Sequence, residues 1–221
     1  NGSDIYNSAF KNAKVTVLSV IKSNDLVKYY KNESQFYSTL LDEKGNPIAN
    51  NTAVQFNVNG VFYTRYTNEN GTAKLNIKLY PEHYIITIIH PKGEKKGYNI
   101  TVLPTIISKD LVKYYKNESQ FYATFLNGQG KPIANNTEVH FNVNGVFYTS
   151  YTNENGTAKL NINLYPGNYI ITSMHPDGFQ MGVNIFVNKT LITYDISQPC
   201  NKTGTATFNA EYLDGQGRPL S

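Results

Sequence analysis

The chain has one cysteine, Cys200, and no tryptophan in 221 residues. A lone cysteine excludes an intrachain disulfide and a cysteine-built zinc cluster. Charge is sparse as well, at 16% Asp, Glu, Lys and Arg, and the net +4 comes from scattered lysines. Without a basic stripe there is no electrostatic footprint for nucleic acid. No apolar run is long enough to cross a bilayer and no signal peptide is recognisable, so this segment is expected neither to contact a membrane nor to target itself. Any anchor is expected in other parts of a longer parent. Apolar residues at helical spacing are missing throughout. So is an Asp-x-Asp-x-Asp-Gly calcium loop. No cofactor is expected.

What the chain has is strand chemistry. It carries 18 Tyr and 11 Phe beside recurrent Ile, Val and Thr, side chains that fit a pleated, half-buried surface. Asn-rich turns and 16 Gly punctuate many short strands. A 40% hydrophobic share is enough for packed cores rather than disorder.

The dominant feature is an internal repeat. The string Asp25 to Tyr37 recurs letter for letter from Asp110 to Tyr122, and at this offset of 85 residues 58 of the 80 positions from Asp25 to Pro104 are identical. Lys14 to Leu18 align with Asn99 to Leu103, the last strand of a repeat, while Phe208 to Pro219 follow Phe121 to Pro132. The expected organisation is therefore four pieces. Residues 1–19 supply the C-terminal strand of a preceding repeat, 20–104 the first full copy, 105–189 the second, and 190–221 the opening strands of a following one. The end pieces lack the Val-x-Phe-x-Val-Asn-Gly hairpin, so the segment is expected to be a window on a longer array.

Within a copy the apolar period is two. Val54, Phe56 and Val58 alternate with Gln55 and Asn57, and Asn59-Gly60 supplies a primed hairpin turn. Val61 to Thr67, Ala73 to Leu79, Tyr84 to His90 and Tyr98 to Leu103 give further strands; Phe36 to Leu41 and one opening strand near Val20 to Lys28 precede them. About seven strands in 85 residues predict an all-β fold, tandem immunoglobulin-like Greek-key sandwiches. The expected core is Phe36, Leu40, Val54, Phe56, Val58, Leu75, Ile77, Tyr84 and Ile86 with their partners 85 residues on.

The strings Gly130-Lys131-Pro132, Val139 to Gly145, Thr152 to Leu164 and Pro166-Gly167-Asn168-Tyr169 resemble the bacterial-type Ig-like repeats of invasin/intimin-class adhesins. They resemble most of all the adhesin-like surface proteins of methanogenic archaea. The first copy departs from that pattern at Glu82, where the family usually has Gly. The resemblance implies a cell-surface, extracellular stalk holding a distal binding region away from the envelope; a fold shared this widely specifies no ligand.

Candidate chemistry is thin. His90 and His175 share one repeat position, each before a proline at a strand end, and read as polar caps; His83 and His140 have no cluster of further ligands around them. Asp25, Asp110 and Asp195 stand alone at their junctions. Cys200 sits in a turn-like stretch and reads as a free surface thiol or a buried packing residue rather than a nucleophile. A catalytic set inside the repeat would be duplicated, so no enzyme is expected. Tyr29-Tyr30 and Phe62-Tyr63 offer rings for sugar stacking or for cross-strand packing. A Lys–Asn isopeptide weld has the right residue types at Lys28, Asn99 and Glu33, and again at Lys113, Asn184 and Glu118. Asn-x-Ser/Thr acceptors occur at Asn1, Asn32, Asn50, Asn70, Asn99, Asn117, Asn135, Asn155, Asn188 and Asn201. These ten sites exceed the roughly four that composition alone gives, as expected for a glycoprotein or for duplication of an Asn- and Thr-rich sequence.

The expected function is a non-enzymatic spacer whose partners are adjacent repeats of the same chain. The alternatives are an adhesive module for glycans or another cell's surface, and a subunit of an extracellular filament or surface layer.

Overall fold

The computed structural model describes residues 11–197 and 207–220. Every regular element among them is a strand. In the first copy these are β1 (Ile21–Ser23), β2 (Leu26–Tyr29), β3 (Phe36–Leu40), β4 (Ala53–Val58), β5 (Val61–Tyr66), β6 (Thr72–Leu75), β7 (Glu82–Ile89) and β8 (Lys95–Leu103). The second copy repeats the set as β9 (Ile106–Ser108), β10 (Leu111–Tyr114), β11 (Phe121–Phe125), β12 (Glu138–Val143), β13 (Val146–Tyr151), β14 (Thr157–Leu160), β15 (Gly167–Met174) and β16 (Gln180–Asn188). A last pair, β17 (Leu191–Thr193) and β18 (Ala210–Tyr212), follows.

Each copy forms two sheets. The first has a three-stranded sheet ordered β1-β3-β6 and a five-stranded sheet ordered β2-β8-β7-β4-β5; the second has β14-β11-β9 and β10-β16-β15-β12-β13. Apart from the hairpins β4–β5 and β7–β8 and their second-copy equivalents, successive strands lie in different sheets, the connectivity of an immunoglobulin-like sandwich. The single opening strand expected near Val20 to Lys28 is in fact two. β1 pairs antiparallel with β3, whereas β2 joins the other sheet beside β8. Its second-copy equivalent β10 runs parallel to β16. Asp25 stands at the crossover, where its carboxylate accepts the Asn99 backbone N–H at 2.8 Å; Asp110 does the same for Asn184. A carboxylate replaces the ladder bond that the switching strand gives up.

The β4–β5 hairpin closes between Val58 and Val61, with φ of 47° at Asn59 and 90° at Gly60. Two successive positive φ values make the primed turn that matches strand twist, and Asn-Gly is the pair that adopts it at least cost. The second copy uses Asn144-Gly145 in the same way. β6 and β14 stop earlier than the alternation to Leu79 suggested, although Ile77 and Ile162 remain buried beyond them.

Rings from the two sheets interlock in each core. Phe36 meets Phe56 edge-on at 6.2 Å, and Phe121 meets Phe141 at 5.7 Å, the geometry that aromatic quadrupoles favour. Phe36, Leu40, Val54, Phe56, Val58, Leu75, Ile77 and Ile86 are all buried, each worth about 1.5–3 kcal/mol relative to exposure. Tyr84 is only half-buried, as are Leu160 and Tyr169 in the second copy. The copies also differ inside. Leu40 becomes Phe125 while Ile88 becomes Ser173, all four buried. One position grows and another shrinks, as a core of fixed volume requires.

Lys14 to Leu18 form no strand, and Val15, Val17 and Leu18 are exposed. They have no partner strand among the described residues. At the other end β17 pairs antiparallel with β18, and Leu213 bridges Pro219 just as Leu41 bridges Pro47. The two compact units do not coincide with the 85-residue copies. One comprises Asn1–Leu26, Gln35–Ile77 and Tyr84–Ile100; the other comprises Val27–Ser34, Lys78–His83 and Thr101–Ser221.

Candidate interface at the Tyr-Tyr-Lys-Asn loop

The segment duplicated letter for letter contains a tight loop after β2 and again after β10. Lys31 and Lys116 take positive φ at its apex. Asn32 caps it, its Oδ1 accepting the Ser34 N–H at 2.8 Å; Asn117 does the same for Ser119. In both loops the free side of that amide reaches away. Asn32 Nδ2 donates to the Gly128 carbonyl at 2.6 Å, and Asn117 Nδ2 donates to the Gly215 carbonyl at 2.6 Å. Both loops and both receiving turns lie inside the second compact unit.

The packing repeats too. Tyr29 lies against Gly130 and Tyr114 against Gly217, so closely that a Cβ on either glycine would run into the ring. Tyr30 stacks on Tyr80 at 5.5 Å and leans on Phe179 at 5.4 Å. Tyr115 stacks on Tyr165 at 5.7 Å. Burial, with Tyr80 and Asp177 close by, pushes the Tyr30 hydroxyl above its ordinary pKa. Tyr29-Tyr30, read from sequence as a possible sugar platform, are therefore spent on contacts within the protein.

Behind each loop lies a buried lysine that sequence reading did not place in the interior. Lys113 Nζ donates to the carbonyls of Ser119 at 2.9 Å and Ile162 at 2.8 Å; Lys28 Nζ donates to Ser34 O. Burial lowers the pKa of both lysines, opposed by the nearby charge of Glu33 for Lys28 and Glu118 for Lys113. The structure does not bring the second isopeptide set together. Lys113 pairs with buried Val187, and Asn184, three residues back, faces outward with its amide on Asp110. The first set divides the same way: Lys28 is buried, while Asn99 is exposed with its amide on Asp25. A period of two puts residues three apart on opposite faces.

His90 and His175 are buried. Nε2–H donates to Leu41 O in one and to Leu126 O in the other, while Nδ1 accepts the backbone N–H of Lys92 or Asp177. Both ring nitrogens are thus taken up in holding a strand end. His83 sits near Thr101 and His140 near Glu138, both on the surface. No group of three metal-ligating side chains occurs among the described residues. An open cleft of about 390 Å³ is lined by Lys22 to Leu26 and Gln35 to Tyr37, and a smaller equivalent runs from Ile107 to Tyr122. Its carboxylate, Asp25, is already engaged by Asn99, which lowers its pKa. Cys200, Asn1 and Asn201 lie outside the described residues.

Of the remaining acceptors, Asn50, Asn70, Asn99, Asn135, Asn155 and Asn188 are exposed, whereas Asn32 and Asn117 are half-buried with both ends of the amide bonded. The outer face of the five-stranded sheet carries Phe62, Tyr66 and Ile85 in the first copy and Phe147, Tyr151 and Ile170 in the second, all exposed. No helix is long and apolar enough to cross a membrane among the described residues.

Strand order and core define the class: an all-β chain of immunoglobulin-like sandwiches. No family model matches it, and no curated protein does. Among solved structures, the fibronectin(III)-like modules of Clostridium thermocellum CbhA share 16% identity over 76% of this chain and 93% of theirs, at a TM-score of 0.27. Invasin, a bacterial integrin-binding protein, shares 15% over 94% of this chain and 48% of its own, at 0.34. The Yersinia pseudotuberculosis adhesin InvE shares 15% over 87% and 66%, at 0.32. Likeness this thin carries no argument, and the fold rests on the strand order above.

Proposed function

We propose that this chain is a spacer segment of a cell-surface, adhesin-like protein, a non-enzymatic array in which each copy's partners are its neighbours. One observation carries the reading: the same two-sheet sandwich is built twice in tandem, with the Asn–Gly contact repeated beside it, Asn32 to Gly128 and Asn117 to Gly215. Sequence spent on identical copies and on a recurrent copy-to-copy contact supports length rather than catalysis, since repeats that touch only their neighbours build quasi-linear arrays. The adhesin-like sequence motifs and the surplus of Asn-x-Ser/Thr acceptors support an extracellular, glycosylated setting, and the motifs favour an archaeal source. Limited proteolysis of intact source cells tests the location. This segment should be released into the medium; its survival in the cells until lysis would count against a surface position.

A second reading is an adhesive module for glycans. The exposed rings of Phe62 and Tyr66, repeated as Phe147 and Tyr151, favour it, because aromatic faces stack on sugars and duplicate sites raise avidity.

A further inference from the structure

The contact described above meets the receiving copy at two positions where the copies differ. In the second copy the Tyr-Tyr-Lys-Asn loop lies over Gly128. A Cβ there would come within 3.1 Å of Asn32 N and of Lys31 C, so the loop backbone would have to give by a few tenths of an ångström. Over Gly215 the fit is ordinary contact, with Asn117 Cα at 3.4 Å from the same imagined atom, so the steric demand falls on Gly128. The first copy has Glu43 at this position. Its side chain forms an ion pair with Lys92, and the neighbouring turn glycine, Gly45, has nothing within 4 Å of where its Cβ would be. The second position is where Tyr30 lands on Phe179. Phe179 is buried and belongs to the edge of its core, with Tyr30 packed against it. The first copy has Glu94 there, which instead accepts the Ser19 hydroxyl at 2.7 Å.

We propose that the glycine at 128 and 215, with Phe at 179, forms a docking site for the Tyr-Tyr-Lys-Asn loop of a preceding copy, and that Glu43 and Glu94 make the first copy refuse that loop. Docking needs a surface without a side chain under Asn32 and an apolar one under Tyr30. Glu43 would crowd the loop backbone with its Cβ, and Glu94 would set a carboxylate where Phe179 offers Tyr30 a ring, forfeiting the aromatic contact. The occupant is thus fixed by chemistry as a second loop of this same repeat, and the two ends of a copy are not interchangeable. The inference deepens the tandem-array reading and rests on it.

The test is amide hydrogen exchange on the full chain, comparing it with Gly128→Glu, Phe179→Glu and Asn32→Asp. In the unaltered chain the Tyr30 to Ser34 amides should be protected. Gly128→Glu and Phe179→Glu should each speed their exchange about tenfold or more, the worth of one hydrogen bond and its packing. Asn32→Asp, which removes the donor without touching a core, should do so too. The Tyr115 to Ser119 amides, docked on Gly215 in the same molecule, should not change, and neither should those of β12 and β15. Should Phe179→Glu loosen the core amides as well, Gly128→Glu and Asn32→Asp decide alone. A loop that is unprotected in the unaltered chain, or indifferent to both of those substitutions, overturns the docking site. That result would leave the spacer reading standing, since sandwiches joined without docking still supply length. Saturable ligand binding, conversely, would end the spacer reading and leave the docking site intact.

Discussion

Lys113 Nζ lies 2.8 Å from the carbonyl oxygen of Ile162, with the ammonium sealed inside the second sandwich. The bond ties β10 to the stretch that follows β14, and Ser119 O shares it. Lys113→Met keeps the apolar stem and removes the donor, leaving a buried carbonyl unpaired. The expected loss at neutral pH is about 1–3 kcal/mol, read from denaturant unfolding.

The same lysine gives a pH signature. Burial holds its folded pKa below the ordinary 10.5, so between the two values the unfolded chain binds more protons than the folded one. Stability contributed here must rise with pH across that window. The difference in unfolding free energy between the natural chain and Lys113→Met should widen from neutral pH towards 10.5. A difference that narrows on the alkaline side contradicts burial as the cause.

Ser173 offers the opposite case. It is fully buried, and its hydroxyl has no hydrogen-bond partner, where the first copy uses Ile88. Ser173→Ala removes an unsatisfied group and should stabilise by about 1 kcal/mol. Thermal unfolding checks this; a lowered midpoint would mean that the hydroxyl is satisfied after all.

Most of this architecture was legible. Period-two alternation located β4 and β12 and their buried faces, because register in a two-sheet core leaves one choice. Asn59-Gly60 announced its hairpin through turn chemistry. The alternation alone takes Val20 to Lys28 as one strand, but Asn24-Asp25, poor strand formers, part β1 from β2, and the two join different sheets. Lys28 and Lys113 were not legible because lysine in Leu-Val-Lys-Tyr carries no sign of burial, and its acceptors are backbone carbonyls, Ser34 or Ser119 in the adjoining loop and, for Lys113, Ile162 beyond β14. The docking contact left a trace that went unused. Among the positions that differ between the copies, 43 against 128 and 94 against 179 exchange charge for glycine or phenylalanine, a change in keeping with the proposed docking.

Glycan occupancy should follow the same geometry. Asn70 and Asn155 are exposed in the Asn-Gly-Thr turns and should carry glycan in native material. Asn32 and Asn117 should stay bare, because their amides are committed to Gly128 and Gly215 and a sugar there would displace the loop. Mass spectrometry of protein isolated from its own cells decides it. Modified Asn32 beside unmodified Asn70 would reverse the assignment.

The most direct test of the spacer account is a glycan array probed with the full chain, beside a variant carrying Phe62→Ser, Tyr66→Ser, Phe147→Ser and Tyr151→Ser. These rings are exposed on the outer sheet face, so their loss should leave the cores folded. A spacer predicts that neither protein is retained on any glycan. Saturable retention of the unaltered chain, abolished in the variant, would contradict the account and make the outer face a carbohydrate-binding surface.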